Sequence, residues 1–189
     1  MKNAACLAVA LWCAACAADP QSQTAAAGGS ATPVFGRQAP PQVPASPRAA
    51  PGDGFELHLK RSGCYGSCPS YQVTIHGNGG VDYVGYSHVA VAGAQHGQAD
   101  PAALGSLRAR FADPATATPW GGYTRDKPGC GPWSSDMPGV TIEAYFDGRW
   151  RRIEHDLGCS GAPSTLQPLE QAIDAAAQSE QWVSGRSAY

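Results

Sequence analysis

From Phe55 onward the chain alternates apolar and polar positions with a period of two, interrupted by glycine-rich turns. Phe55-Glu56-Leu57-His58-Leu59-Lys60 and Tyr71-Gln72-Val73-Thr74-Ile75-His76 both carry this pattern. Such alternation puts successive side chains on opposite faces of a strand. Gly77-Asn78-Gly79-Gly80 supplies the positive-φ residues of a hairpin turn into Val81-Asp82-Tyr83-Val84-Gly85-Tyr86, and the pattern extends this sheet through Val89 and Val91. A second hairpin is predicted from Val140 to Phe146, through Asp147-Gly148, and back from Arg149 to Asp156. Two stretches change to helical spacing. Asp100-Pro101 places an N-cap and a first-turn proline before Leu104, Leu107 and Phe111. Residues 163–177 carry the stripe Leu166, Leu169 and Ile173, after which Trp182 and Val183 are expected to pack back onto the sheet. Residues 113–138 are rich in Gly and Pro and read as a long excursion. Hairpins interspersed with helices predict an α+β domain: a mainly antiparallel sheet built from hairpins, with about two helices packed on one face.

Upstream of Phe55 the periodicity disappears. Residues 19–54 hold seven prolines and almost no large apolar side chains, too little to offset the entropy of ordering, and predict a disordered Pro/Ala-rich tether. Residues 1–18 read as a signal peptide: Lys2 supplies a positive charge and Ala4 to Ala15 an apolar run too short to span a bilayer. Ala14-Ala15-Cys16 resembles a lipobox, with Cys13 where lipoproteins usually carry Leu. The expectation is a lipid-modified Cys16 as first mature residue, followed by Ala17, which favours the outer membrane; ordinary cleavage would leave the protein in the soluble periplasm. The globular domain is then 55–185.

In the second hairpin, a two-residue Asp147-Gly148 turn pairs Tyr145 with Trp150, Glu143 with Arg152 and Ile142 with Ile153. Val140, Ile142, Ala144, Phe146 and Ile153 then form the core face. Tyr145, Trp150 and Arg152 lie opposite and form a candidate binding face, because Trp, Tyr and Arg are the types that anchor protein contacts. The same cross-strand pairs can also serve only to stabilise a solvated sheet.

Composition narrows the function. Thirteen basic and 15 acidic residues leave a net charge of −2, so no basic surplus exists to neutralise a row of phosphates, and a nucleic-acid partner is not expected. The one apolar run approaching membrane length is N-terminal, so membrane attachment is expected by lipid anchor only. No Gly-x-Ser-x-Gly, Walker, His-Glu-x-x-His or EF-hand pattern occurs, and no catalytic residue, cofactor or metal is assigned. His58 and His76 alternate with apolar residues and are expected to face solvent. Asp126, Asp136 and Asp156 are read as hydrated loop acids.

Three of the seven cysteines (Cys6, Cys13, Cys16) fall in the signal region and four (Cys64, Cys68, Cys130, Cys159) in the domain. An even four in an exported domain argues for two disulfides, of which Cys64–Cys68 and Cys130–Cys159 are the favoured pairing. The alternatives are a zinc site drawing on these sulfurs or on His155, and a thiol-based redox enzyme using Cys64 and Cys68. The latter pair has Cys-x-x-x-Cys spacing before a strand, rather than Cys-x-x-Cys at a helix start.

Cys64-Tyr65-Gly66-Ser67-Cys68-Pro69-Ser70-Tyr71-Gln72-Val73-Thr74-Ile75, the turn Gly77-Asn78-Gly79 and Tyr83 resemble the opening of a bacterial envelope family catalogued as domain of unknown function 6438. Gly161-Ala162-Pro163, Leu166, Leu169-Glu170, Ile173-Asp174 and the ending Trp182-Val183 are similar to its distal half, so the resemblance spans residues 55–183. It implies a secreted or lipid-anchored module and carries over no catalytic residue. Separately, an envelope protein or cell-wall component is the expected partner.

Overall fold

The computed structural model describes residues 50–114 and 118–185. The expected signal peptide, Cys16 and nearly all of the tether lie outside the described residues. Seven strands form one sheet: β1 (Glu56–Arg61), β2 (Ser70–His76), β3 (Gly80–Ser87), β4 (Gly93–Gln98), β5 (Gly121–Tyr123), β6 (Gly139–Phe146) and β7 (Arg149–Asp156). Their order is β4-β3-β2-β1-β6-β7-β5, antiparallel throughout except for β5, which runs parallel to β7. Helices α1 (Pro101–Ala112) and α2 (Leu166–Ala177) cover one face, and the short α3 (Glu180–Val183) closes the chain against it. This is an α+β fold. Among the described residues no helix is long and apolar enough to cross a membrane.

Alternation sets the core. Leu57, Leu59, Val73, Ile75, Val81, Tyr83, Ile142, Ala144 and Ile153 all point to the helix side and are sealed from water. The α2 stripe of Leu166, Leu169 and Ile173 meets them. Asp100 caps α1, its carboxylate accepting the Ala103 N–H at 2.7 Å, and Leu104, Leu107 and Phe111 are the buried side of that helix. Trp182 stacks on Tyr83 at 4.9 Å between centroids, as expected for the chain end.

Three expectations are corrected. Val89 and Val91 do not extend the sheet: left-handed His88 (φ 54°) and Gly93 (φ 85°) break the strand. The segment is held instead by N–H bonds from Ala90 and Val91 to the carbonyls of Val183 and Trp182. β4 follows, with glycine at 97 because a Cβ there would stand 2.9 Å from the Trp182 ring. The excursion also contains β5 and a 3-10 turn at Pro128–Cys130. Finally, α2 begins at Leu166 rather than Pro163.

Candidate functional site

One end of the sheet carries both disulfides. Cys64–Cys68 closes the loop between β1 and β2, with Cα atoms 5.5 Å apart. Cys130–Cys159 joins the excursion to the residues after β7, with Cα atoms 4.5 Å apart, 29 positions apart in the chain and both cysteines buried. The four sulfurs are thus placed as two disulfides, the favoured pairing. Among the described residues, no group of three His, Cys, Asp or Glu side chains is placed to hold a metal ion.

The small loop displays Tyr65, which is 89% exposed, the most exposed large apolar side chain of the described residues. Its backbone is tied down: Tyr65 N–H donates to the Asp136 carbonyl at 3.1 Å, and Ser62 N–H to the Gly139 carbonyl at 2.9 Å. Met137, beside the first of those carbonyls, is 49% exposed. The segment supporting Tyr65 is itself anchored by the long-loop bridge. Trp133 pairs with Cys159, and its indole N–H donates to Asp156 at 2.8 Å. Gly158 packs so tightly that a Cβ would strike the Ser134 carbonyl. The acids near this bridge act singly: Asp156 takes the Trp133 indole and the Gly158 N–H, while Asp136 takes the Ser135 hydroxyl.

The structure places the second hairpin in the expected register, with Tyr145 opposite Trp150 and Glu143 opposite Arg152. Tyr145, Trp150 and Arg152 therefore share the face away from the helices. Trp150 meets Tyr145 edge-on at 5.4 Å and lies 5.5 Å from His58. Arg152 is engaged by Glu143 at 2.5 Å and by Glu154 at 2.6 Å. Those carboxylates outweigh burial, the largest single effect on Arg152, and raise its pKa.

His58 lies on this outer face but is buried at 7% exposure, contrary to expectation. Its Nδ1 pairs with the Thr74 hydroxyl at 2.9 Å and its Nε2 with Glu56 at 2.6 Å. His76 is half-buried, 2.8 Å from Asp82 and 3.4 Å from Glu56, and Asp82 also holds the exposed His96 at 2.7 Å. The bond to Asp82 raises the His76 pKa, and the reciprocal bond lowers that of Asp82.

Beneath α2 lies a polar row that sequence reasoning missed. The pairings Arg61–Tyr71, Arg61–Val140 and Val140–His155 align Tyr71, Arg61 and His155 across the helix side of the sheet. Glu170 accepts from His155 at 2.7 Å and stands 3.5 Å from Arg61. Asp174 takes two Arg61 donors at 2.7 and 2.9 Å, the Tyr71 hydroxyl at 2.8 Å and the Ser179 hydroxyl at 2.8 Å. Burial, reinforced by Asp174, holds the Tyr71 hydroxyl well above its ordinary pKa. The row fixes the helix to the sheet. Each polar group is spent on a neighbour.

Comparison with curated proteins gives no match. A family model does match, over residues 55–177, from the first residue of β1's approach to the last turn of α2. It takes in both disulfides, the Tyr65 loop and the polar row, and the chain belongs to that family, described as Domain of unknown function (DUF6438).

Proposed function

We propose that this chain is a non-catalytic, disulfide-stabilised binding module of the bacterial cell envelope. In this reading residues 1–18 direct export, Cys16 carries a lipid anchor in the outer membrane, and residues 19–54 hold the domain away from the bilayer. The partner is an envelope protein or a cell-wall component. The observation that carries the proposal is Tyr65, an aromatic ring held 89% exposed on a loop closed by a disulfide. An aromatic ring brings large contact area at low entropic cost, and a loop fixed before binding loses little further freedom. The hairpin face of Tyr145, Trp150 and Arg152 supplies a second contact at the other end of the sheet. It is the weaker anchor, because Arg152 already spends its donors on Glu143 and Glu154.

A photo-crosslinking residue placed at position 65 of the full chain in living cells tests this. A discrete adduct at 65, missing when the probe sits at the exposed Ala109 of α1, is expected. Identical adduct patterns at the two positions would remove Tyr65 as the anchor.

A further inference from the structure

At the end of the sheet opposite the disulfides lies a groove of about 680 Å³, whose walls include Phe55, Phe111 and Phe146, the three arginines Arg108, Arg149 and Arg151, and one carboxylate, Asp147. That volume is in the range of small-molecule sites, about 300–1,000 Å³. Arg151 stands on the helix side of β7 opposite Ala144, and its side chain is 19% exposed. Its guanidinium lies 4.1 Å from the centroid of Phe146 and 5.7 Å from that of Trp120. Its ion-pair partner is Asp147, 80% exposed on the hairpin turn and 3.8 Å away, beyond hydrogen-bond distance. Arg149, two residues earlier on the same face, is exposed and has no ion-pair partner among the described residues. Arg108 reaches in from α1 over the Phe55 ring at 4.7 Å, with one donor on the Gly77 carbonyl.

The contrast with Arg61 and Arg152 is chemical. Arg61 and Arg152 each hold carboxylates within 2.9 Å, whereas Arg149 and Arg151 hold none that close. A largely covered guanidinium beside two others of like charge carries a cost of desolvation and repulsion, against which the groove sets one carboxylate, Asp147, 80% exposed and 3.8 Å from Arg151. An oxyanion offsets both, since a planar fork fits carboxylate and phosphate alike.

We propose that this groove is a binding site for a small organic anion. Arg149 and Arg151 grip its carboxylate or phosphate group, Arg108 closes over it, and its apolar body rests on Phe146 and Phe111. The site is independent of the Tyr65 loop, which lies at the other end of the sheet.

Calorimetric titration of the full chain with citrate and with pyrophosphate, at moderate salt, tests it. Saturable binding of at least one probe is expected, and the stronger of the two identifies the group. Arg149→Gln, an exposed change that leaves the melting temperature unaltered, should weaken that binding at least tenfold. Arg125→Gln, over Trp133 at the other end, should leave it unchanged. Absence of saturable binding by both probes, or equal weakening by Arg149→Gln and Arg125→Gln, would overturn the proposal.

Discussion

His155 on β7 and Glu170 on α2 meet inside the domain, Nδ1 to Oε1 at 2.7 Å, with side chains 6% and 2% exposed. The same carboxylate stands 3.5 Å from Arg61, so one acid on the helix serves two basic groups on the sheet. Removing one partner of such a buried set leaves the others uncompensated, which costs about 3–5 kcal/mol. Glu170→Ala should therefore lower the unfolding free energy by about that amount in a urea titration. Glu170→Gln keeps the shape and one acceptor, and should cost distinctly less. Equal losses for the two variants would show that packing, and not the polar set, is what Glu170 supplies.

The two disulfides should differ in worth. In the chain-entropy model, a loop of about 30 residues gains about 3–4 kcal/mol from closure and one of about five residues about 2 kcal/mol. Replacing Cys130 and Cys159 by serine should lower the melting temperature more than replacing Cys64 and Cys68. Equal melting temperatures would contradict the ranking.

The pair His76–Asp82 gives stability a pH dependence. His76 is raised above its ordinary 6.5, so its contribution is full below that value and fades as pH rises through the raised pKa. Asp82 is lowered below its ordinary 3.8, so its contribution is full above that value and fades as pH falls through the lowered pKa. The pair is thus strongest between about pH 4 and 6.5. Urea titrations across pH should show the advantage of wild type over Asp82→Asn greatest inside that window and smaller on either side. A difference constant with pH would refute the pairing.

Trp150 is half-buried between Tyr145 and His58 and, among the described residues, has no helix over it. Trp150→Ala should cost less than the about 3–5 kcal/mol of a core aromatic. A thermal melt showing wholesale unfolding of this variant would mean that Trp150 is a core residue.

These residues also mark where the sequence could be read and where it could not. Strict alternation and a two-residue turn were enough to pair Tyr145 with Trp150 and Glu143 with Arg152, and Asp100-Pro101 was enough to start α1. β4 left no such trace. Its helix-side positions are Gly93, Gln95 and Gly97, because the core there is filled by Trp182 from the far end of the chain. β5 is three residues long and pairs in parallel, a geometry that no local pattern announces. Alternation puts His58 on the outer face, but its burial comes from Trp150 and Thr74 on other strands. The row of Tyr71, Arg61 and His155 becomes visible only once β1 is known to sit between β2 and β6. Arg149 and Arg151 carry no local signal for a related reason: only the fold brings Arg108 to them.

The disulfide scaffold rests on the state of Cys64, Cys68, Cys130 and Cys159 in the native protein. The direct measurement is differential alkylation of the full chain purified from the cell envelope, before and after reduction, read by peptide mapping at each of the four positions. A disulfide-built binding module predicts no alkylation at any of them before reduction, alkylation at all four afterwards, and cross-linked peptides joining Cys64 to Cys68 and Cys130 to Cys159. Reactive thiols at Cys64 and Cys68 in the native protein would contradict it and return the domain to redox or metal chemistry.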